Sequence, residues 1–281
     1  MVPVSVGKLR FGAFFFLAFV TACTTTNDFE GASVTYERSR AALEMPMRSI
    51  YSGYSDVGEY ACNYAGTRIH YNGNTTLQLV NCLMEAPSGS RTLSITSSGG
   101  NVDFGIFAAQ VVSAMALDVE VVGWCASSCA NYILPAAKRV YVDQHSVVFV
   151  HGAPQPPDRG RLVEAISKSG LTKDSPGFDA VVDDNMERSE LTYRLHNNFK
   201  AQFQVGDYYY NLADISSAPE PAAKAGTSKL VYVDPGWLRA CMPDVEVVAE
   251  APNARGLQEL FPKYSLVSFS QVRGRENKCF V

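Results

Sequence analysis

Basic residues never gather in this chain. In 281 residues no cluster holds more than two or three of them, and 24 Lys and Arg stand against 28 Asp and Glu for a net charge of −4. A protein that grips nucleic acid by its phosphates needs a basic patch or stripe, so that class of partner is excluded. Phosphate loops are lacking too. Gly99-Gly100 does not have Gly-x-Gly-x-x-Gly spacing, and no Gly-Lys-Ser or Gly-Lys-Thr follows it. The closely spaced cysteines, Cys125 and Cys129, have no histidine at ligand spacing beside them, which argues against a zinc site. No internal repeat is present, and nothing in the composition implies a cofactor or a metal.

What is there begins at the N-terminus. Lys8 and Arg10 precede an apolar run over residues 11–20, followed by Thr21-Ala22-Cys23. A positive start, a short apolar core and small residues before a cut describe a secretory signal. The run is too short for a comfortable membrane span, which wants about 20 apolar residues. Val20-Thr21-Ala22-Cys23 resembles a bacterial lipobox, in which the cysteine is acylated and becomes the first mature residue; an ordinary signal peptide with an incidental cysteine is the alternative. The expectation is a signal peptide over residues 1–22 and lipidation at Cys23. The anchored protein then faces the periplasm, with the outer membrane favoured because Thr24 stands where an aspartate often retains lipoproteins at the inner one. The remaining cysteines, Cys62, Cys82, Cys125, Cys129, Cys241 and Cys279, are even in number, which in an oxidising compartment points to disulfides. Sequence neighbourhood pairs them as Cys62–Cys82, Cys125–Cys129 and Cys241–Cys279.

Residues 23–55 are rich in Thr, Ser, Asn and Glu without periodicity and read as a flexible tether. From about Tyr60 strands and helices alternate. Strands are expected at residues 67–71, 91–96, 119–123, 139–142, 147–150, 245–248 and 265–269. Helices are expected at 75–85, 102–117 and 124–137, and a long polar one at 178–203 follows the Pro-rich loop that starts at Ala153. This order, with near-continuous apolar strands, predicts an α/β sheet covered on both faces.

Three strand ends carry candidate chemistry. Ser97-Ser98-Gly99-Gly100 lies between a strand and a helix, where glycines permit unusual backbone angles and free amides for a ligand. Gly123-Trp124-Cys125-Ala126-Ser127-Ser128 sets a serine at a helix start, whose partial positive charge favours a developing oxyanion. Val147-Val148-Phe149-Val150-His151-Gly152 brings a histidine to a strand end. A helix out and a short hairpin back can return His151 to Ser127. Blander readings stand beside these: Ser127 as a helix N-cap, His151 as a satisfied strand-end histidine, and Gly99-Gly100 as a tight turn. His70, His145 and His196 read as turn or surface residues, and the Tyr208-Tyr209-Tyr210 run as packing or interface.

With these segments in hand, the stretch from about Ile69 to His151 resembles the proteolytic subunit of Clp protease and its relatives in the ClpP/crotonase superfamily. Exported ClpP-like proteins with a Cys-Ala-Ser-x-Cys-Ala segment are similar at Cys125-Ala126-Ser127-Ser128-Cys129-Ala130. The resemblance implies stacked ββα units with a projecting long helix, spanning residues 56–245, and a C-terminal extension over 246–281. It implies Ser127 as nucleophile, His151 as general base, and an oxyanion hole from the backbone of Gly99 or Gly100 and of Ser128. The Cys125–Cys129 pair would then brace the nucleophile turn. The family's aspartate has no match: counting back from Val231-Tyr232-Val233-Asp234-Pro235 reaches Gly226-Thr227-Ser228, so Glu220 or Asp214 would have to serve. Lys138 sits too far along for a serine–lysine pair, and acyl-CoA chemistry conflicts with export. The expected function is an envelope serine hydrolase, a ClpP-like peptidase acting on peptide or protein and able to form a homo-oligomer. The alternative is an inactive lipoprotein that keeps the fold as a binding or scaffolding module.

Overall fold

A glycine turn starts the sheet. Gly66, at φ +59, closes a hairpin between β1 (Ala61–Ala65) and β2 (Arg68–Asn72), an angle glycine adopts at no steric cost. The structure, a computed structural model, describes residues 60–150, 152–210, 228–253, 264–268 and 279, all within one compact unit, Ser55–Val281. The signal segment, the tether and Cys23 lie outside the described residues.

After the hairpin comes α1 (Leu77–Met84), whose N-cap Thr76 accepts a hydrogen bond from the Gln78 amide. Next are β3 (Thr92–Ser97) and α2 (Val102–Ala114), capped by Asn101 on the Phe104 amide at 3.1 Å. Each cap satisfies an amide that a helix start leaves unpaired. β4 (Asp118–Ala126) runs into a π-helical turn, Cys129–Ile133. Then follow β5 (Arg139–Val142), β6 (Val147–Phe149), α3 (Arg159–Lys168), α4 (Phe178–Gln202), α5 (Asp207–Tyr210), β7 (Ser228–Tyr232), α6 (Pro235–Cys241), β8 (Glu246–Ala249) and β9 (Tyr264–Ser268). The α/β class expected from the element order is the class observed.

Strands β2, β3, β4, β5 and β8 pair in parallel in that order. β4 forks. Asp118–Val121 pair with β5, and Trp124–Ala126 pair with β6. The bend falls at Gly123, φ +74, an angle that costs any other residue. Here the structure corrects the helix expected over residues 124–137: the strand continues to Ala126, and only a short π turn follows. Trp124–Ala126 find backbone partners on β6, and an apolar run of this length suits either period until such partners decide it. From β6 the sheet continues to β7, antiparallel at Phe149 and Tyr232, and on to β9 in parallel. The segment after Val245 thus adds two strands to the same sheet.

A second correction concerns coverage. Ile69, Tyr71, Leu93, Ile95, Val119, Val121, Val140 and Val142 are buried on one face, with Leu79, Val80, Leu83, Phe104, Ala108 and Val112 buried on α1 and α2. The intervening positions Arg68, His70, Asn72, Thr92, Thr96, Glu120, Val122 and Tyr141 are half-buried or exposed. Apart from Ser94, which is buried among polar partners, this alternation leaves these strands one apolar face, not two, so among the described residues helices cover one side. On the open side Arg68 bonds Ser94 (2.7 Å) and pairs with Glu120, while Arg139 grips both oxygens of Asp118 (3.0 and 2.6 Å). The long helix expected after the Pro-rich loop is α4; α3, with no buried residue, lies against it through the Arg159–Asp183 pair.

Candidate functional site

Ser127 is held in a conformation serine avoids. Its φ is +54, one of three positive values among described non-glycine residues, and a left-handed backbone there costs on the order of 1–3 kcal/mol unless neighbours enforce it. Several do. The Ser127 amide donates to the Phe149 carbonyl at 3.0 Å, which ties the turn to the end of β6. The Asn131 amide donates to the Ser127 carbonyl at 2.8 Å. Cys125 and Cys129, with sulfurs 2.11 Å apart, bracket the turn, and both are fully buried. Strand, strained serine, helical turn: this is the arrangement by which a nucleophile elbow lifts a hydroxyl clear of a sheet. The N-cap alternative moves by one residue, since the cap position belongs to Ser128 and makes no side-chain cap bond.

Gly99 and Gly100 come up against this turn from β3. Gly99 (φ +87) lies so close that an added Cβ would sit 2.4 Å from the Ser127 Cβ and 3.0 Å from the Ser128 nitrogen. Gly100 (φ +152) is packed in turn against Thr75, whose carbonyl an added Cβ would meet at 2.9 Å. The Gly99 amide donates to Ser97 Oγ at 3.2 Å. Of the pair, Gly100 therefore offers the amide with no bond to a described residue. The Ser128 side chain is buried, and its hydroxyl bonds that of Thr75, also buried. Trp124 Nε1 donates to Ser98 Oγ at 3.2 Å, a further link between the two strand ends.

His151, Glu220 and Asp214 lie outside the described residues. The chain on either side of His151 does not. Val150 is buried, and Gly152, φ +104, is buried with its carbonyl accepting from Asn131 Nδ2 at 2.6 Å. Phe149 and Gly152 are thus each bonded to the Ser127 turn. Asn131 belongs to no motif of the sequence. A polar residue inside the apolar run Ala130–Leu134 was the signal that could have found it.

Beneath the turn lies an aromatic cluster. Tyr132, from the π turn, shares a hydrogen bond between its hydroxyl and His196 Nδ1 at 3.3 Å, and the His196 ring meets Tyr210 edge-on at 4.7 Å. Tyr209 and Tyr210 donate to the carbonyls of Ala130 and Asn131, both at 3.0 Å. His196 is thereby corrected from a surface residue to a core one, 4% exposed, because α4 turns that face toward the π turn. Burial, with Lys200 nearby, lowers its pKa from 6.5 to about 4. The ring is therefore neutral at pH 7. Burial likewise pushes Tyr132, Tyr209 and Tyr210 up, so all three stay protonated. His70 and His145 are exposed.

The neighbour pairing of cysteines is the one the structure brings together: Cys62 with Cys82, Cys125 with Cys129, Cys241 with Cys279. Among the described residues no group of His, Cys, Asp or Glu gathers as a metal site would require. A shallow depression of about 170 Å³ on one sheet face, between His70, Asn72, Thr96 and Val122, contains no residue of the Ser127 turn.

No family model matches the chain, and no curated protein does. Among solved structures it is similar to a ClpP1 mutant from Listeria monocytogenes, at 16% identity over 68% of this chain and 95% of that one, TM-score 0.32. It is similar to the ClpP protease catalytic domain from Plasmodium falciparum at 15% identity over 48% and 68%, TM-score 0.28. It is also similar to an enoyl-CoA hydratase from Mycobacterium avium subsp. paratuberculosis, at 12% identity over 54% and 88%, TM-score 0.30. Likeness at these identities is a matter of fold, and with TM-scores below 0.5 no step of the chemistry rests on it.

Proposed function

We propose that this chain is a serine hydrolase of the bacterial cell envelope, acting on peptide bonds and tethered to the membrane by lipid on Cys23. Ser127 attacks the substrate carbonyl, and His151 takes the hydroxyl proton and returns it to the leaving amine. The amides of Gly100 and Ser128 receive the oxyanion, whose charge they stabilise without having to reorient. Glu220 and Asp214 remain the acids available to orient the histidine, and a homo-oligomer remains the expected assembly.

One observation carries the reading: the left-handed backbone of Ser127, clamped between Gly99, the Phe149 carbonyl and the Cys125–Cys129 bond. A serine needed only for capping or packing gains nothing from that conformation. An elbow gains exposure of its hydroxyl. Export is supported by the Lys8–Cys23 signal pattern and by cysteines paired within bonding distance, a usage typical of oxidising compartments.

The test is reaction of the purified protein with a fluorophosphonate probe, with Ser127→Ala alongside. Labelling of wild type and none of the variant supports the hydrolase. A well-folded wild type that never labels sinks it in favour of a binding or scaffolding module.

A further inference from the structure

We propose that Asn131 is a positioning residue for the Ser127–His151 pair. The inference rests on the reading of those two residues as catalytic. Its starting point is that Phe149 and Gly152, described residues on either side of position 151 in the chain, are each bonded to the serine turn. Phe149 is held by the Ser127 amide at 3.0 Å. Gly152 is held by a side chain, Asn131 Nδ2 to the Gly152 carbonyl at 2.6 Å.

The chemistry of that second pin is specific. A carbonyl accepts only, so the group facing it must be a donor, and the Asn131 amide nitrogen is one. Gly152 has φ +104, a conformation that glycine enters and leaves freely, so nothing in its own backbone stiffens the end of the segment. Asn131 is itself rigidly placed. It is 3% exposed, its amide donates to the Ser127 carbonyl at 2.8 Å, and its carbonyl accepts from Tyr210 Oη at 3.0 Å. One residue thus joins the nucleophile's peptide, the far side of the histidine's segment and the aromatic cluster below.

Stability alone would not choose this residue. Its Oδ1 is buried and has no hydrogen-bond partner among the described residues. An orphaned buried acceptor is a net cost, which an apolar side chain of the same shape avoids. The chain keeps the polar group where its donor sets the distance between two strand ends. Such a device takes over part of the task an orienting acid performs, in a sequence with no acid at the expected place before Val231.

The test uses the full chain and the rate of fluorophosphonate labelling, with folded fraction followed by far-UV circular dichroism. Asn131→Leu keeps the volume and removes the donor. Its rate is expected to fall about 10- to 100-fold per folded molecule, the penalty for misplacing a reacting group by a fraction of an ångström to an ångström. Asn131→Asp keeps the shape but donates only when its carboxyl is protonated. The ratio of its rate to wild type is therefore expected to be low near pH 8 and to climb toward about pH 5, because burial raises a carboxyl's pKa. A purely structural role would leave that ratio flat.

Rates for folded Asn131→Leu within about twofold of wild type, below the loss of even a weak hydrogen bond, overturn the proposal. So does a pH-independent Asn131→Asp ratio. If both variants fail to fold, Asn131 belongs to the scaffold and the positioning role goes. A wild type that never labels removes the hydrolase reading itself, and this role with it.

Discussion

No methyl group fits between Gly99 and Ser127. An ideal Cβ on Gly99 would lie 2.4 Å from the Ser127 Cβ and 2.6 Å from the Ala126 carbonyl, in a residue whose φ of +87 already favours glycine. The end of β3 and the turn after β4 are therefore fitted to one another at the level of single atoms. That contact sets where the serine stands relative to the Gly100 amide.

Gly99→Ala is expected to be costly twice over. The left-handed backbone contributes about 1–3 kcal/mol and the overlap with Ser127 a similar amount. Gly89→Ala, with no heavy atom within 4 Å and no positive φ, is the control and should be near neutral. Urea unfolding of the two variants measures the difference. Equal midpoints would show that the turn yields easily and that the close fit has no energetic weight.

Ser127→Gly should separate stability from activity. Glycine relieves the φ of +54, worth about 1–2 kcal/mol, but adds unfolded-state entropy worth about 0.4–1 kcal/mol. The net expectation is a gain of up to about 1.5 kcal/mol with all labelling lost. Ser127→Ala loses labelling too, without the gain, since alanine inherits the strain. A thermal melt of the three proteins side by side decides it.

His196 should make stability fall in acid. Its pKa is lowered from 6.5 to about 4 by burial and by Lys200, so between those values the unfolded chain binds a proton that the folded one refuses. The sign follows: the contribution is complete above pH 6.5 and is lost as pH falls toward 4, by about 3 kcal/mol at most. The groups facing the ring are the Tyr132 hydroxyl and the Tyr210 ring, which do not titrate in this range, and Lys200. His196→Gln should flatten the slope of unfolding free energy between pH 7 and 4.5 relative to wild type, as read by urea titrations at several pH values.

The disulfides should divide their effects by loop length. Removing Cys241–Cys279, sequence separation 38, is expected to cost about 4 kcal/mol in the chain-entropy model, and Cys125–Cys129, separation 4, about 2 kcal/mol. On labelling the order should reverse, because the short bond spans the Ser127 turn and the long one joins α6 to Cys279. Paired Cys→Ala variants, assayed for both stability and probe rate, test the crossing. A labelling rate untouched by loss of the short bond would remove its bracing role.

Much of the scaffold was legible in local pattern. β3, α2, β5 and α4 lie within a few residues of where hydrophobic spacing puts them, and the cysteines pair with their sequence neighbours. Elsewhere local pattern was silent or misleading. β1, at the sheet edge with Tyr64 exposed, has no apolar run to announce it. Residues 124–126 are apolar enough for a helix, yet the backbone of β6 recruits them as strand. His196 looks polar on a polar helix, and only the π turn opposite makes it core.

Residue order by itself determined the alternation of strands and helices, the cysteine partners, and where along the chain the candidate serine, histidine and glycines stand. All of these follow from near neighbours along the chain. Tertiary structure alone decided that Gly99 wedges against Ser127, that the serine's backbone is left-handed, and that Asn131 clasps the Gly152 carbonyl. Those outcomes depend on groups far apart in the chain, whose closeness is set by sheet register and by the bend at Gly123. A position's side chain can be read from its letter, but its neighbours across a sheet cannot.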